Sequence, residues 1–191
     1  MNMLTDSPDA VTADWAAALL DFWFNEVGEQ GWYSHDPALD VRCAARFRDI
    51  WRDKRMAPAE TFLDRADEAL AAILLFDQLP RNMFRGSADA FATDPLAREI
   101  ARGAIAQGYD IQIGGAGRLF FYMPFQHSED LSDQELSLQL FEGAGDARSL
   151  EYARDHHATI ARFGRFPHRN AVLGRETLPQ EQAAVESGAR W

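Results

Sequence analysis

Apolar residues recur at three- and four-residue spacing through most of the chain, and sustained period-two alternation is absent, so the pattern predicts helices throughout. Trp15, Leu19, Phe22 and Trp23 form the first stripe, after a candidate N-cap at Thr12 and before a stop near Gly28. Gly31-Trp32-Tyr33 reads as a loop whose large aromatics should pack back onto the core or cover a pocket. Asp36-Pro37 pairs a capping side chain with a proline suited to the first helical position, and Leu39, Cys43, Phe47, Ile50 and Trp51 continue at helical spacing. A third helix is expected to begin at Pro58 and to carry Phe62, Ala66, Ala69, Leu70, Ile73 and Phe76 on its apolar face. Charge disappears from Ala71 to Phe76, so that end should be deeply buried.

Beyond it the pattern is set by its breaks. Pro80 removes an amide and disfavours helix at Leu79, so carbonyls near Asp77 should lack donors; Arg81, Asn82 and Arg85 are suited to supply them. Asp94-Pro95 repeats the cap-plus-proline device and opens a helix through Leu96, Ile100 and Ile105 to Gly108. Glycines 114, 115 and 117 read as a loop, and Leu119–Phe125 as a short helix broken by Pro124. A helix through Leu131, Leu138 and Phe141 ends near Gly143. Asp146 then caps another, whose seam of Leu150, Ala153, His157, Ile160 and Gly164 turns His157 towards the packed side. The expected organisation is a flexible N-terminus over residues 1–11, a single all-α domain of about seven helices over 12–178, and a polar tail over 179–191.

Composition narrows the function classes. At 191 residues, 47% hydrophobic and 12% aromatic, the chain has enough apolar material for one substantial core. A formal charge of −11 disfavours non-specific nucleic-acid binding. Cys43 is the only cysteine, which excludes an internal disulfide and a cysteine zinc cage, and its helical position suggests a buried, inert thiol. The opening residues MNMLTDSPDA lack a signal-peptide pattern, and the longest apolar run, Ala69–Phe76, is too short to span a bilayer. A cytoplasmic protein with no membrane or nucleic-acid partner is expected; oligomeric state leaves no signal in the pattern.

Against this acidic background, His156–Arg175 contains no acidic residue and gathers Arg162, Arg165, His168, Arg169 and Asn170 around a turn at Gly164 and Pro167. Arginine forks at Arg165 and Arg169 suit carboxylate or phosphate recognition. Equally, they suit tying helix ends together through carbonyls and a buried Asp77. His127, His157 and His168 lie beside the breaks, and a histidine–carboxylate pair with Glu129 would serve acid–base chemistry near neutral pH. Ser128 beside His127 reads as a nucleophile or as a helix cap, and no G-x-S-x-G elbow surrounds it. Neither Glu-x-x-His nor His-Glu-x-x-His occurs, so no metal is assigned. The glycines at 114–117 form no dinucleotide fingerprint, so no cofactor is assigned either. Phe76–Asn82 also echoes Phe163–Asn170, which suggests a duplicated helix-pair architecture.

Four stretches together resemble the DUF924 family of bacterial proteins: FWF at Phe22–Phe24, LLFDQLPRNMFRG at Leu74–Gly86, FFYMPFQHSEDL at Phe120–Leu131 and HATIARFGRFPHRNAVLGRET at His157–Thr177. The resemblance implies an all-α fold of antiparallel helix pairs in a tetratricopeptide-like arrangement, and no assigned activity. No 34-residue tetratricopeptide consensus can be laid along the chain.

The leading expectation is a pocket for a small anionic ligand. Arg81, Tyr122, Arg165, His168 and Arg169 would bind it, His127, His157 and Glu129 would be available for proton transfer, and Asp77, Asn82 and Asn170 would act structurally. The competing expectation is a protein–protein interaction module with a helical groove, in which the Arg/His turns are internal staples.

Overall fold

The computed structural model describes residues 15–186, which are helical with no strand. Thr12 and the expected flexible N-terminus lie outside the described residues. Helix α1 (Trp15–Asp21) continues through a π-helical stretch, Phe22–Val27, into α2 (Gly28–Trp32). The aromatic loop expected at 31–33 is thus partly the end of a helix. Trp32 does pack back: its indole N–H donates to the Trp23 carbonyl at 2.8 Å and its ring meets Phe120 edge-on at 5.0 Å. Tyr33 stays exposed.

Helix α3 (Pro37–Lys54) begins as its sequence dictates, with Asp36 accepting from the Ala38 amide and proline in the first turn. The helix expected from Pro58 is instead divided. A 3-10 turn, Ala59–Phe62, precedes α4 (Ala66–Ile73), which runs through a π-helical stretch, Leu74–Gln78, into α5 (Leu79–Met83). Every residue from 69 to 80 is buried, because this rod packs against α1, α3 and the helices that follow it. A 3-10 turn, Ala88–Phe91, leads to α6 (Asp94–Ala106). Three short helices come next: α7 (Tyr109–Ile113), α8 (Gly115–Phe120) and α9 (Met123–Gln126). Two glycines expected in a loop therefore lie inside α8. A Cβ on Gly117 would come within 2.7 Å of the Ile113 side chain and 3.4 Å of Leu70, so the missing side chain lets α8 approach α4. Pro124 starts α9 rather than breaking a helix; the chain turns at Phe121 and Tyr122 instead.

Helices α10 (Leu131–Ala144) and α11 (Ala147–Phe163) form a hairpin through Gly145 and Asp146, and Asp146 accepts from the Ser149 amide as its sequence predicts. Gly164 ends α11 at φ 69°, the left-handed cap that favours glycine. A 3-10 turn, Pro167–Arg169, follows. Within the polar tail expected over 179–191, Pro179–Glu186 forms α12, with Glu181 1% exposed, and 187–191 lie outside the described residues. Among the described residues no helix is long and apolar enough to cross a membrane.

Pro80 cannot donate to the carbonyl four residues earlier, Phe76. The Thr93 hydroxyl supplies that bond at 2.7 Å and in turn accepts from the Trp51 indole N–H at 3.1 Å. The Arg81 guanidinium serves the next carbonyl, Asp77. Thr93→Val keeps the shape but leaves a buried carbonyl and a buried indole N–H without this partner. A loss of about 1–3 kcal/mol is expected, read as a lower urea midpoint with an unchanged m-value; an unaltered midpoint would refute the assignment.

Candidate functional site

Asp77 sits in the π-helical stretch, its side chain fully buried. Both carboxylate oxygens lie 2.9 Å from His127 Nδ1, and Gln78 Nε2 donates to one of them at 2.5 Å. Arg81 Nη2 stands 3.4 Å away. Burial pushes the Asp77 carboxyl up, but the Arg81 charge, the charge His127 carries at the low pH where Asp77 would titrate, and the hydrogen bonds from His127 and Gln78 outweigh it, holding the carboxyl well below its ordinary value. Burial, with Arg81 adding to it, lowers His127 against the opposing pull of Asp77. The imidazole is therefore neutral near pH 7 with its proton on Nδ1, facing Asp77, which leaves the Nε2 lone pair directed away from the carboxylate.

Arg81 reaches on to Asp94, with 3.2 Å from each terminal nitrogen to a carboxylate oxygen. Arg169 approaches the same carboxylate at 3.5 Å. The Asp94-Pro95 pair was expected to cap α6; Thr93 occupies the cap position instead, and Asp94, first residue of the helix, serves two arginines. Arg169 is sandwiched between Phe91 and Phe166, 4.5 and 4.4 Å from their ring centroids. It is 5% exposed, and its Nε–H has no hydrogen-bond partner, an arrangement that carries a cost unless something fills the site.

His156, not His157, is the α11 histidine in this cluster. Its ring lies 6.1 Å from that of His127 and 5.5 Å from Phe166. Its Nδ1–H donates to the Tyr152 carbonyl at 2.7 Å, so Nε2 accepts from Gln126 Nε2 at 3.4 Å. His157 is only half-buried. Positions 156 and 157 both fit helical spacing to Ala153 and Ile160. The side on which the α9 turn carries Gln126 and His127 selects 156. His168 joins through Phe166, with ring centroids 5.8 Å apart.

Glu129 and Arg165 belong to a second, adjoining network. Glu129 accepts from the Phe166 amide at 2.7 Å and pairs with Arg175 at 2.6 Å. Arg175 Nε donates to Asn170 Oδ1 at 3.0 Å, Asn170 Nδ2 donates to Glu181 at 3.0 Å, and Arg165 pairs with Glu181 at 2.6 Å. Neither Arg165 nor Arg169 is the direct ion-pair partner of Asp77; Arg81 and His127 are.

Other expected residues lie elsewhere. Tyr122 donates to Asp110 at 2.6 Å and accepts from Arg118 Nε at 2.6 Å, so its hydroxyl is engaged with α7 and α8. Asn82 donates to Asp40 of α3, as Arg85 does. The Ser128 hydroxyl donates to Asp133 at 2.7 Å and accepts from the Asp130 amide at 3.2 Å, while Asp130 is the residue that caps α10. Cys43 is buried, and burial pushes its thiol up to about 12. The described apolar concavity, about 570 Å³ and lined by Trp15, Ala17, Ala18, Asp21, Arg46, Phe47 and Ile50, includes none of the turn residues.

Residues 19–189 match a family described as bacterial protein of unknown function, DUF924. The chain belongs to this family. A solved structure of a protein of unknown function from Agrobacterium tumefaciens, ATU0120, is 42% identical and superposes with a TM-score of 0.87 over 93% of this chain and 99% of that one. No match was found among curated proteins. In this DUF924 protein the members of the two polar networks that the sequence did not single out are Asp94, His156, Arg175 and Glu181. Asp94 was concealed by the capping role that Asp94-Pro95 suggests, and His156 by its neighbour. The signal for Glu181 was an arginine-rich turn that required carboxylates from elsewhere.

The buried histidines make stability fall on acidification. Burial, with His127 next, lowers His156 to about 3, and burial, with Arg169 next, lowers His168 to about 4. A histidine lowered in the fold contributes fully above its unfolded value of 6.5 and loses that contribution as pH falls towards the folded value. Below the ordinary glutamate value of 4.5, loss of the Glu181 pairing adds to this, because hydrogen bonds from Arg165 hold that carboxyl at about 2. Asp94, raised chiefly by burial, opposes the trend. His156 alone should cost about 2 kcal/mol between pH 7 and 5. Urea unfolding of His156→Gln should show a shallower pH slope over that range; parallel slopes would contradict the assignment.

Proposed function

We infer that the cluster of Asp77, Arg81, His127, His168 and Arg169 binds a small anionic molecule, a carboxylate or a phosphate, and that His127 Nε2 handles a proton there. The reading is carried by the Asp77–His127 pair. A fully buried carboxylate fixes the imidazole by its Nδ1 edge, as an orienting group does for a base, and His127 keeps 14% of its side-chain surface exposed. Support also comes from the unpartnered Arg169 Nε–H and from the long 3.2–3.5 Å contacts of both arginines with Asp94. Guanidinium groups so held retain donor capacity for a second anion.

His127→Ala would remove a buried partner of Asp77 and confound binding with folding. His127→Gln retains a donor for the carboxylate and removes the basic nitrogen. A thermal-shift screen of phosphorylated and carboxylated metabolites at fixed ionic strength is expected to yield a stabilising compound. The Gln variant should bind that compound at least about tenfold more weakly. Because His127 is neutral near pH 7 and an adjacent anion favours its charged form, binding should take up about one proton, measured by titration calorimetry in buffers of different ionisation enthalpy. Absence of any stabilising compound, or equal binding by His127→Gln, would overturn the reading.

A further inference from the structure

Glu181 is the buried residue of α12, while Ala184 is half-buried and the other residues of the helix are exposed. Val185 within the helix and Leu178 just before it share the face of Glu181 and are both 38% exposed, so the apolar edge of this helix is only partly covered. What enters the body is a carboxylate. Its Oε1 accepts from Arg165 Nε at 2.6 Å, and its Oε2 accepts from Arg165 Nη2 at 2.8 Å, completing a two-pronged fork. Asn170 Nδ2 at 3.0 Å and the Leu178 amide at 2.8 Å also donate to Oε2.

The two cradle side chains are held by groups other than Glu181. Arg165 Nη2 also donates to the Glu176 carbonyl at 2.8 Å. Asn170 is fully buried; its Oδ1 accepts from Arg175 Nε at 3.0 Å and its carbonyl accepts from the Arg175 amide at 2.8 Å. A planar fork and a fixed amide converging on one carboxylate describe a preorganised receptor for that group. The carboxylate now in it is the one fully buried side chain among the described residues of a segment whose apolar side chains are only partly covered.

We propose that Arg165 and Asn170 form a carboxylate-binding site which the chain's own Glu181 occupies, and that α12 lifts to admit an external carboxylate. The site is separate from the His127 cluster and does not require that cluster to bind anything. It adjoins it, however: Arg175 spans Asn170 and Glu129, and Glu129 holds the amide of Phe166, against which Arg169 and His156 pack.

Two measurements on the full chain test the proposal. In Glu181→Ala the cradle loses its internal carboxylate, and acetate should restore it. The variant's melting temperature should be several degrees higher in acetate than in chloride of equal ionic strength, with saturation, and the difference should vanish in the double variant Arg165→Met/Glu181→Ala. In the unaltered protein, glutarate at constant ionic strength should accelerate amide hydrogen exchange across 178–186 in a concentration-dependent way, at least severalfold. Equal melting of Glu181→Ala in acetate and chloride overturns the proposal. So does exchange across 178–186 that glutarate leaves unchanged, a result that stands even if the variant fails to fold.

Discussion

The structure depends on a carboxylate that has no access to water. Asp77 is placed at the centre of the protein by the apolar rod that precedes it, since every residue from 69 to 80 is buried. An ion in such a place persists only if charge and hydrogen bonds surround it. Gln78 and Arg81 provide part of this locally, and His127 provides the rest from fifty residues further along the chain. Arg81 then needs Asp94, and Asp94 draws in Arg169. The end of the rod, the start of α6, the turn after α9 and the turn after α11 are thereby placed together. Removing one member leaves the others as buried uncompensated charges, which typically costs several kcal/mol.

The same geometry changes the meaning of the cationic stretch His156–Arg175. Read alone, it is an anion site within an acidic chain. In the fold, anions from outside the stretch enter it: Asp94 meets Arg169, Glu129 meets Arg175, and Glu181 meets Arg165. These pairings differ in tightness. The Glu129 and Glu181 contacts are 2.6 Å, whereas Arg169 keeps a 3.5 Å contact and an Nε–H without a partner. Donor capacity therefore remains on the His127 side. On the α12 side it is occupied by an exchangeable internal carboxylate.

The helical fold was largely legible because helix signals are local. Asp36-Pro37 and Asp146 cap where they are expected to, and the uncharged end of the third helix is buried. The misreadings share a physical cause. The glycines at 115 and 117 read as loop because helix propensity disfavours them, yet Gly117 is helical because α8 packs close to α4. Asp94 read as a cap, but Thr93 takes the cap position and its hydroxyl serves the carbonyl that Pro80 leaves open. For the cluster around Asp77, the sequence pointed to the turns that the fold brings together and to two of its histidines, His127 and His168. It did not supply the pairing.

What the sequence determined by itself is the all-α class, the position of the buried rod, the break at Pro80 with its need for outside donors, and the concentration of Arg and His at turns. These follow from periodicity, proline chemistry and composition, which act over a few residues. The tertiary structure decided which partner each charge took: His156 rather than His157, Arg81 rather than Arg165 or Arg169 for Asp77, and Glu181 of the C-terminal helix for Arg165. Ion pairing and burial depend on distances between segments remote in sequence, and packing of the helices sets those distances.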